Sequence, residues 1–185
     1  MSMRLWLLRH ARPLVGEGVC YGALDVAADA AETMEAARQA AQVLPPGVQV
    51  LSSPLRRCTQ LAQALAALRA DLAPREDARL AEMDFGSWEG RRWNSIDRAE
   101  LDAWTSDFQG HRPGGHGESV SHFMARVGQV LEEGRATGRD QAWITHGGVF
   151  KALLLHDEAI AAPVASGWPR QGLAHGAWHL FHIGV

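Results

Sequence analysis

The chain alternates short apolar runs with longer stretches in which apolar residues recur every three or four positions, the pattern of buried strands joined by amphipathic helices. Leu5-Trp6-Leu7-Leu8 is the first run and predicts a strand. After an irregular, glycine-bearing stretch, Asp29 followed by Glu32 makes a capping box for a helix through Ala36, Ala40, Val43 and Leu44, closed by Pro45-Pro46. Val48 to Leu51 predicts a second strand. Ser53-Pro54 then offers an N-cap and a first-turn proline to a helix carrying Leu61, Leu65 and Leu68. Ala78 to Leu80 reads as a weaker third strand, and residues 94–108 as a helix begun by Asn94. Ser119 to Arg135 predicts a helix with Phe123, Val127, Val130 and Leu131 on one side, preceded by a loop at Gly110 to Gly117. Ala142-Trp143-Ile144 is a short strand, Gly148 to His156 a helix, and Ala177 to Ile183 a last strand. No repeat, linker or low-complexity tract interrupts the alternation. It predicts one α/β domain over residues 1–185.

Open α/β sheets place ligands beyond the carboxyl ends of their strands, and three predicted strand ends carry unusual polar groups. The first runs out in Arg9-His10-Ala11-Arg12. The second leads through Ser52-Ser53 to Arg56 and Arg57, and the strand at 142–144 ends in Thr145-His146-Gly147-Gly148, where a following helix turns its N-terminal amides towards an anion. A lone histidine after a strand is more often structural than catalytic. Two imidazoles with two or more arginines at converging strand ends are hard to attribute to packing, and the planar guanidinium fork matches phosphate oxygens. The ligand expected is a phosphate.

Composition narrows the class further. With 185 residues, 46% of them hydrophobic, the chain can bury one substantial core, and a net charge of -3 argues against a dominant nucleic-acid or membrane surface. Cys20 and Cys58 are too few to staple a fold of this size, so no structural disulfide and a reducing compartment are expected. No signal peptide or membrane span is read, which makes a cytoplasmic location the expectation. The partner expected is a small phosphomonoester, with no nucleic acid and no membrane; the oligomeric state is not readable, a homodimer being one option. Lys151 is the only lysine against seventeen arginines, a bias that GC-rich coding accounts for. The nine histidines show no His-x-x-x-His helix motif or Cys/His cluster with zinc spacing, so neither metal nor other cofactor is expected.

Four ordered stretches, "LLRH", "SSPLRRCTQLA", "LAEMDFGSWEG" and "ITHGG", resemble the motifs of the histidine phosphatases, or phosphoglycerate mutase-like proteins, across most of the chain. The resemblance implies a three-layer α/β/α sandwich with a mostly parallel sheet. It further implies that His10 is the nucleophile, that Arg9, Arg57 and His146 form the phosphate pocket with Gly147, and that Glu82 is the proton donor. Arg57 rather than Arg56 matches because it directly precedes a small residue, Cys58. The short length resembles the compact phosphatases rather than the mutases, and "RHARP" with "GVCYGALD" resembles the start of the α-ribazole phosphatases of cobalamin biosynthesis. That start places Arg12, Cys20, Tyr21 and Asp25 in a loop bordering substrate, with Arg12 and Tyr21 as binding candidates; a turn with a packed aromatic is the other reading of Tyr21-Gly22. A phosphomutase and an inactive phosphate-binding module are the alternatives to a phosphatase.

The chain departs from the pattern at Ala11-Arg12-Pro13, which adds a cationic side chain near the entrance, and at Pro113 to Ser119, where His116-Gly117 lengthens a loop expected to reshape the rim above the phosphate. Trp88, Trp93 and Trp104 follow the acidic segment and either pack in the core or line the pocket. His111, His116 and His122 read as solvated, with a substrate role left open for the first two.

Overall fold

A computed structural model describes residues 2–184. Strand β1 (Ser2–Arg9) is followed by helix α1 (Ala30–Val43), strand β2 (Gln49–Ser52), helix α2 (Arg56–Leu68) and strand β3 (Arg75–Glu76). Helices α3 (Arg98–Ser106) and α4 (Val120–Thr137) come next, then strand β4 (Gln141–Thr145), helix α5 (Gly147–Asp157) and strand β5 (Trp178–Gly184). The sheet order is β3-β2-β4-β1-β5, parallel throughout except that the edge strand β5 runs antiparallel to β1.

Alternation along β1 sorts its side chains between two cores, because successive residues of a strand face opposite sides of the sheet. Met3, Leu5 and Leu7 pack with Phe123, Val127 and Leu131 of α4 and Phe150 and Leu153 of α5. Trp6 and Leu8 pack with Ala37 and Ala40 of α1 and Leu61 and Leu65 of α2. The expected three-layer sandwich is thus present, with β4 wholly buried at its centre.

Where the elements differ from expectation, a side chain supplied from elsewhere decides the outcome. Helix α2 starts at Arg56, not at Ser53-Pro54: the Ser53 hydroxyl lies 2.8 Å from the His146 ring, and Asp25 from a distant loop accepts the Arg56 N–H at 2.6 Å. Asp25, expected beside the substrate, is therefore bonded at a helix start. Ala78–Leu80 is a 3₁₀ turn capped by Asp77, and the third strand lies just before it at Arg75–Glu76. Helix α3 begins after Asp97, which accepts the Ala99 N–H, whereas Asn94 falls in a separate 3₁₀ turn. The cap at Asp29 forms as expected, accepting the Glu32 N–H at 3.0 Å, but the Glu32 carboxylate turns to Arg12 instead of closing the box.

Candidate active site

Backbone bonds at the carboxyl ends of β1, β2 and β4 draw the chemistry together. The His10 N–H donates to Thr145 O and the Ser53 N–H to Ile144 O, so residues just past three adjacent strands are registered against one another. His10 and His146 consequently stand with ring centroids 5.1 Å apart, both without appreciable solvent exposure. Gly176 donates to His10 O, tying the segment before β5 to the same corner.

His10 Nδ1 lies 2.7 Å from Ala11 O. A carbonyl only accepts, so Nδ1 carries the proton and the Nε2 lone pair is left free in the neutral ring. Burial, and then the charges of Arg57 and Arg9, hold the His10 pKa well below its ordinary 6.5 despite the opposing bond to Ala11. His146 is depressed likewise, by burial first and Arg57 second. Both rings are neutral at pH 7.

Arg57 has no solvent exposure and Arg9 is half-buried, yet neither meets a carboxylate among the described residues. Arg57 donates instead to two backbone carbonyls, Leu24 O at 2.9 Å and Gly22 O at 2.6 Å. Arg9 donates to Leu173 O and, at 2.9 Å, to Nε2 of His175. In both, the Nε–H is buried without a partner. Buried charge uncompensated in this way is costly, and an anion that reaches both guanidiniums removes the cost.

Glu82 stands at the mouth of α5, where its carboxyl oxygen accepts the Gly148 N–H at 2.9 Å. A side chain at Gly148 would begin 2.1 Å from Glu82 Oε1, and one at Gly147 would begin 3.2 Å from the Arg9 guanidinium carbon, so the Gly-Gly pair leaves room for both side chains. Arg126 of α4 holds the segment carrying Glu82 by donating to Arg79 O, Ala81 O and Glu82 O while pairing with Glu118.

A cavity of about 620 Å³ opens from Arg9, His10, Glu82, Gly147 and Gly148. Its further walls are largely aromatic, with Phe85, Trp93, Trp104, Phe108, Phe123 and Trp168, and among the polar exceptions are Tyr21, Thr105 and Lys151. Lys151 has no carboxylate partner among the described residues, and desolvation lowers its pKa. The Trp104 indole N–H is buried without an acceptor.

Of the residues singled out in the sequence, Arg9, His10, Tyr21, Glu82 and Gly147 line this cavity, while Arg57 and His146 are buried around His10. Arg12 does not join them: it is exposed and paired with Asp29 and Glu32. The loop through His116-Gly117 packs its backbone behind residues 84–88 and contributes no cavity wall, which corrects the expected rim. Trp93 and Trp104 line the cavity; Trp88 is core, its N–H donated to Glu100. Arg126, His175 and Glu89 went unread. Only Glu89 lay within a quoted motif, and nothing in their spacing betrays partners 44 to 166 residues away.

The histidine phosphatase superfamily (branch 1) profile matches residues 5–182. The chain belongs to this superfamily. It is 32% identical over 158 residues to "Putative phosphoserine phosphatase 2" of Hydrogenobacter thermophilus, covering 82% of this chain and 76% of that protein. Among solved structures it resembles mycobacterial glucosyl-3-phosphoglycerate phosphatase, with TM-score 0.78 and 25% identity over 97% of this chain and 90% of the other. It also resembles TTHB049 of Thermus thermophilus, with TM-score 0.74 and 29% identity over 99% of this chain and 100% of the other. This histidine phosphatase is accordingly a phosphoric monoester hydrolase. Among its described residues, no helix is long and apolar enough to cross a membrane, and no group of three or more His, Cys, Asp or Glu is placed to hold a metal ion.

Proposed function

We propose that the protein hydrolyses phosphomonoesters through a phosphohistidine on His10, without a metal, and that the alcohol it releases carries a ring. The observation behind the first part is the pair of guanidiniums, Arg9 and Arg57, each with a buried, unpartnered Nε–H and no carboxylate, beside an imidazole whose Nε2 is free. A phosphoryl group supplies acceptors to both arginines, and their fixed charge spreads over its equatorial oxygens as it transfers. His10 Nε2 gives its lone pair to phosphorus while the ester P–O bond breaks, and the departing alkoxide takes a proton from Glu82. Glu82, now a carboxylate, removes a proton from water as the water oxygen attacks phosphorus. The N–P bond breaks, inorganic phosphate leaves, and His10 and Glu82 return to their starting forms. His146 lends a neutral imidazole to the pocket, exchanging its Ser53 bond for a phosphate oxygen.

The aromatic walls support the second part, since ring faces offset-stacked or edge-on against Trp93, Trp104 or Trp168 gain contact that a small aliphatic ester such as phosphoserine cannot make. Among ring-bearing esters we assign α-ribazole 5'-phosphate, a step in cobalamin assembly, ahead of glucosyl-3-phosphoglycerate, whose charged acid group finds only Lys151 beyond the phosphate end. The test has two arms. With p-nitrophenyl phosphate in EDTA, turnover persists, an acid-labile, base-stable phosphoenzyme is trapped, and His10→Ala loses at least about 10⁴-fold of kcat. A kcat/KM comparison of α-ribazole 5'-phosphate, glucosyl-3-phosphoglycerate and phosphoserine then ranks the first highest by more than tenfold. Wild-type turnover in His10→Ala would overturn the mechanism, and a preference for phosphoserine the substrate class.

A further inference from the structure

The hydrolytic reading leaves open what keeps Arg57 aimed when it has no counter-ion. Its two anchors are the carbonyls of Gly22 and Leu24, and a loop carbonyl holds a guanidinium only as firmly as the loop itself is held. This loop is held from the opposite side by one carboxylate. Glu89 accepts the N–H groups of Gly22 at 2.8 Å, Ala23 at 3.0 Å and Leu24 at 3.1 Å, together with that of Phe85 at 2.9 Å. The Gly22–Ala23 peptide unit is therefore stretched between opposite charges: its N–H points to Glu89 and its C=O to Arg57.

We infer that Glu89 is a positioning residue for Arg57, acting through the backbone of residues 22–24 as a relayed counter-ion that sets the guanidinium for the phosphoryl group. Three observations carry this. Hydrogen bonds to an ionised acceptor are stronger than neutral ones, and a peptide polarised at both ends strengthens each bond, so charge is communicated where direct pairing is absent. The junction leaves no slack, because a side chain on Gly22 would begin 1.9 Å from Met83 O and 3.0 Å from Glu89 Oε1. The same carboxylate, through Phe85, also fixes the segment that carries Glu82, so one group registers the proton donor against the loop that anchors the arginine. A direct Glu89–Arg57 pair would have neutralised the guanidinium and competed with substrate. The relay orients the arginine and leaves its remaining donors for phosphate.

This inference rests on Arg57 gripping the phosphoryl group, and the experiment separates the two. Inhibition by inorganic phosphate and the KM and kcat for p-nitrophenyl phosphate are measured for the wild type, Glu89→Gln, Glu89→Asp and Glu100→Gln, each with a thermal melt. Glu100→Gln is the control, since it disturbs the same segment through Trp88 without touching residues 22–24. Glu89→Gln, which must turn an amide donor towards N–H donors, is expected to raise the phosphate inhibition constant and KM about tenfold or more, with kcat falling less. Glu89→Asp keeps the charge and the fold but retracts by one methylene, and is expected to show a several-fold loss in the same two quantities. Glu100→Gln lowers the melting temperature and leaves phosphate affinity within twofold. Phosphate affinity within twofold of wild type in both Glu89 variants would overturn the relay, whereas wild-type protein insensitive to phosphate would overturn the grip itself.

Discussion

The two guanidiniums beside His10 are held by opposite means. Arg57 is sealed inside the protein and anchored to a loop that a carboxylate pins from behind. Arg9 lines the cavity and leans on the 173–175 segment, bonding one carbonyl and the exposed ring of His175, which a weaker 3.4 Å contact joins to the Tyr21 hydroxyl. The Tyr21 ring in turn faces Arg57 at 5.5 Å. One arginine is thus enclosed and held by two carbonyls of a charge-pinned loop, and the other by one part-buried carbonyl and one exposed imidazole contact that solvent weakens. Preorganised donors need no rearrangement as charge develops, so the difference bears directly on catalysis.

The largest expected effect separates the two arms. Arg57→Lys forfeits both carbonyl anchors and the fork, and kcat/KM for p-nitrophenyl phosphate is expected to fall about 10³-fold; Arg9→Lys, at the looser site, falls about 10²-fold. An equal or inverted pair of losses would break the comparison. A smaller effect sharpens the Arg9 side. Since an arginine only donates, His175 Nε2 accepts, so His175→Leu is expected to raise KM about fivefold while His175→Gln, whose amide oxygen reaches the Nε2 position, recovers most of it.

The smallest effect is on stability. His10 and His146 have pKa values well below 6.5 in the folded protein, and His175 is pushed down to about 4 by desolvation and then Arg9. The unfolded chain therefore binds protons near pH 6.5 that the native state refuses, so the stability these rings contribute is complete above that pH and is lost progressively as pH falls below it. Thermal melts from pH 7.5 to 5 are expected to show the midpoint dropping by several degrees, with a shallower drop in His175→Gln.

The contrast between the arginines also explains what was legible in the sequence. Periodicity and local caps located the strands at 5–8, 48–51 and 142–144 and the helix starting after Ser119, since those depend on neighbours within a few residues. Strand ends then pointed to His10, His146 and the pair Arg56-Arg57, of which the family resemblance selected Arg57. What stayed hidden was every decision made at long range. Ser53 looked like a helix cap because nothing nearby says that His146 claims its hydroxyl, and Arg12 looked like a ligand contact until Asp29 and Glu32 were seen to pair with it. Glu89 and, apart from its pair with Glu118, Arg126 bind backbone, which leaves no trace in residue type at those targets.

The attachment of Arg9 to Leu173, 164 residues further along, also orders events during synthesis. Strand β1 leaves the ribosome early, but its outer hydrogen-bonding edge and the arginine at its tip gain their partners only when β5 arrives and docks against it. Contacts that span 164 residues close slowly, so this docking is expected late in folding. A nascent chain halted before residue 173 would carry the imidazole proposed as nucleophile and both guanidiniums while lacking the supports of Arg9, and hydrolytic competence is therefore expected to report completion of the sheet.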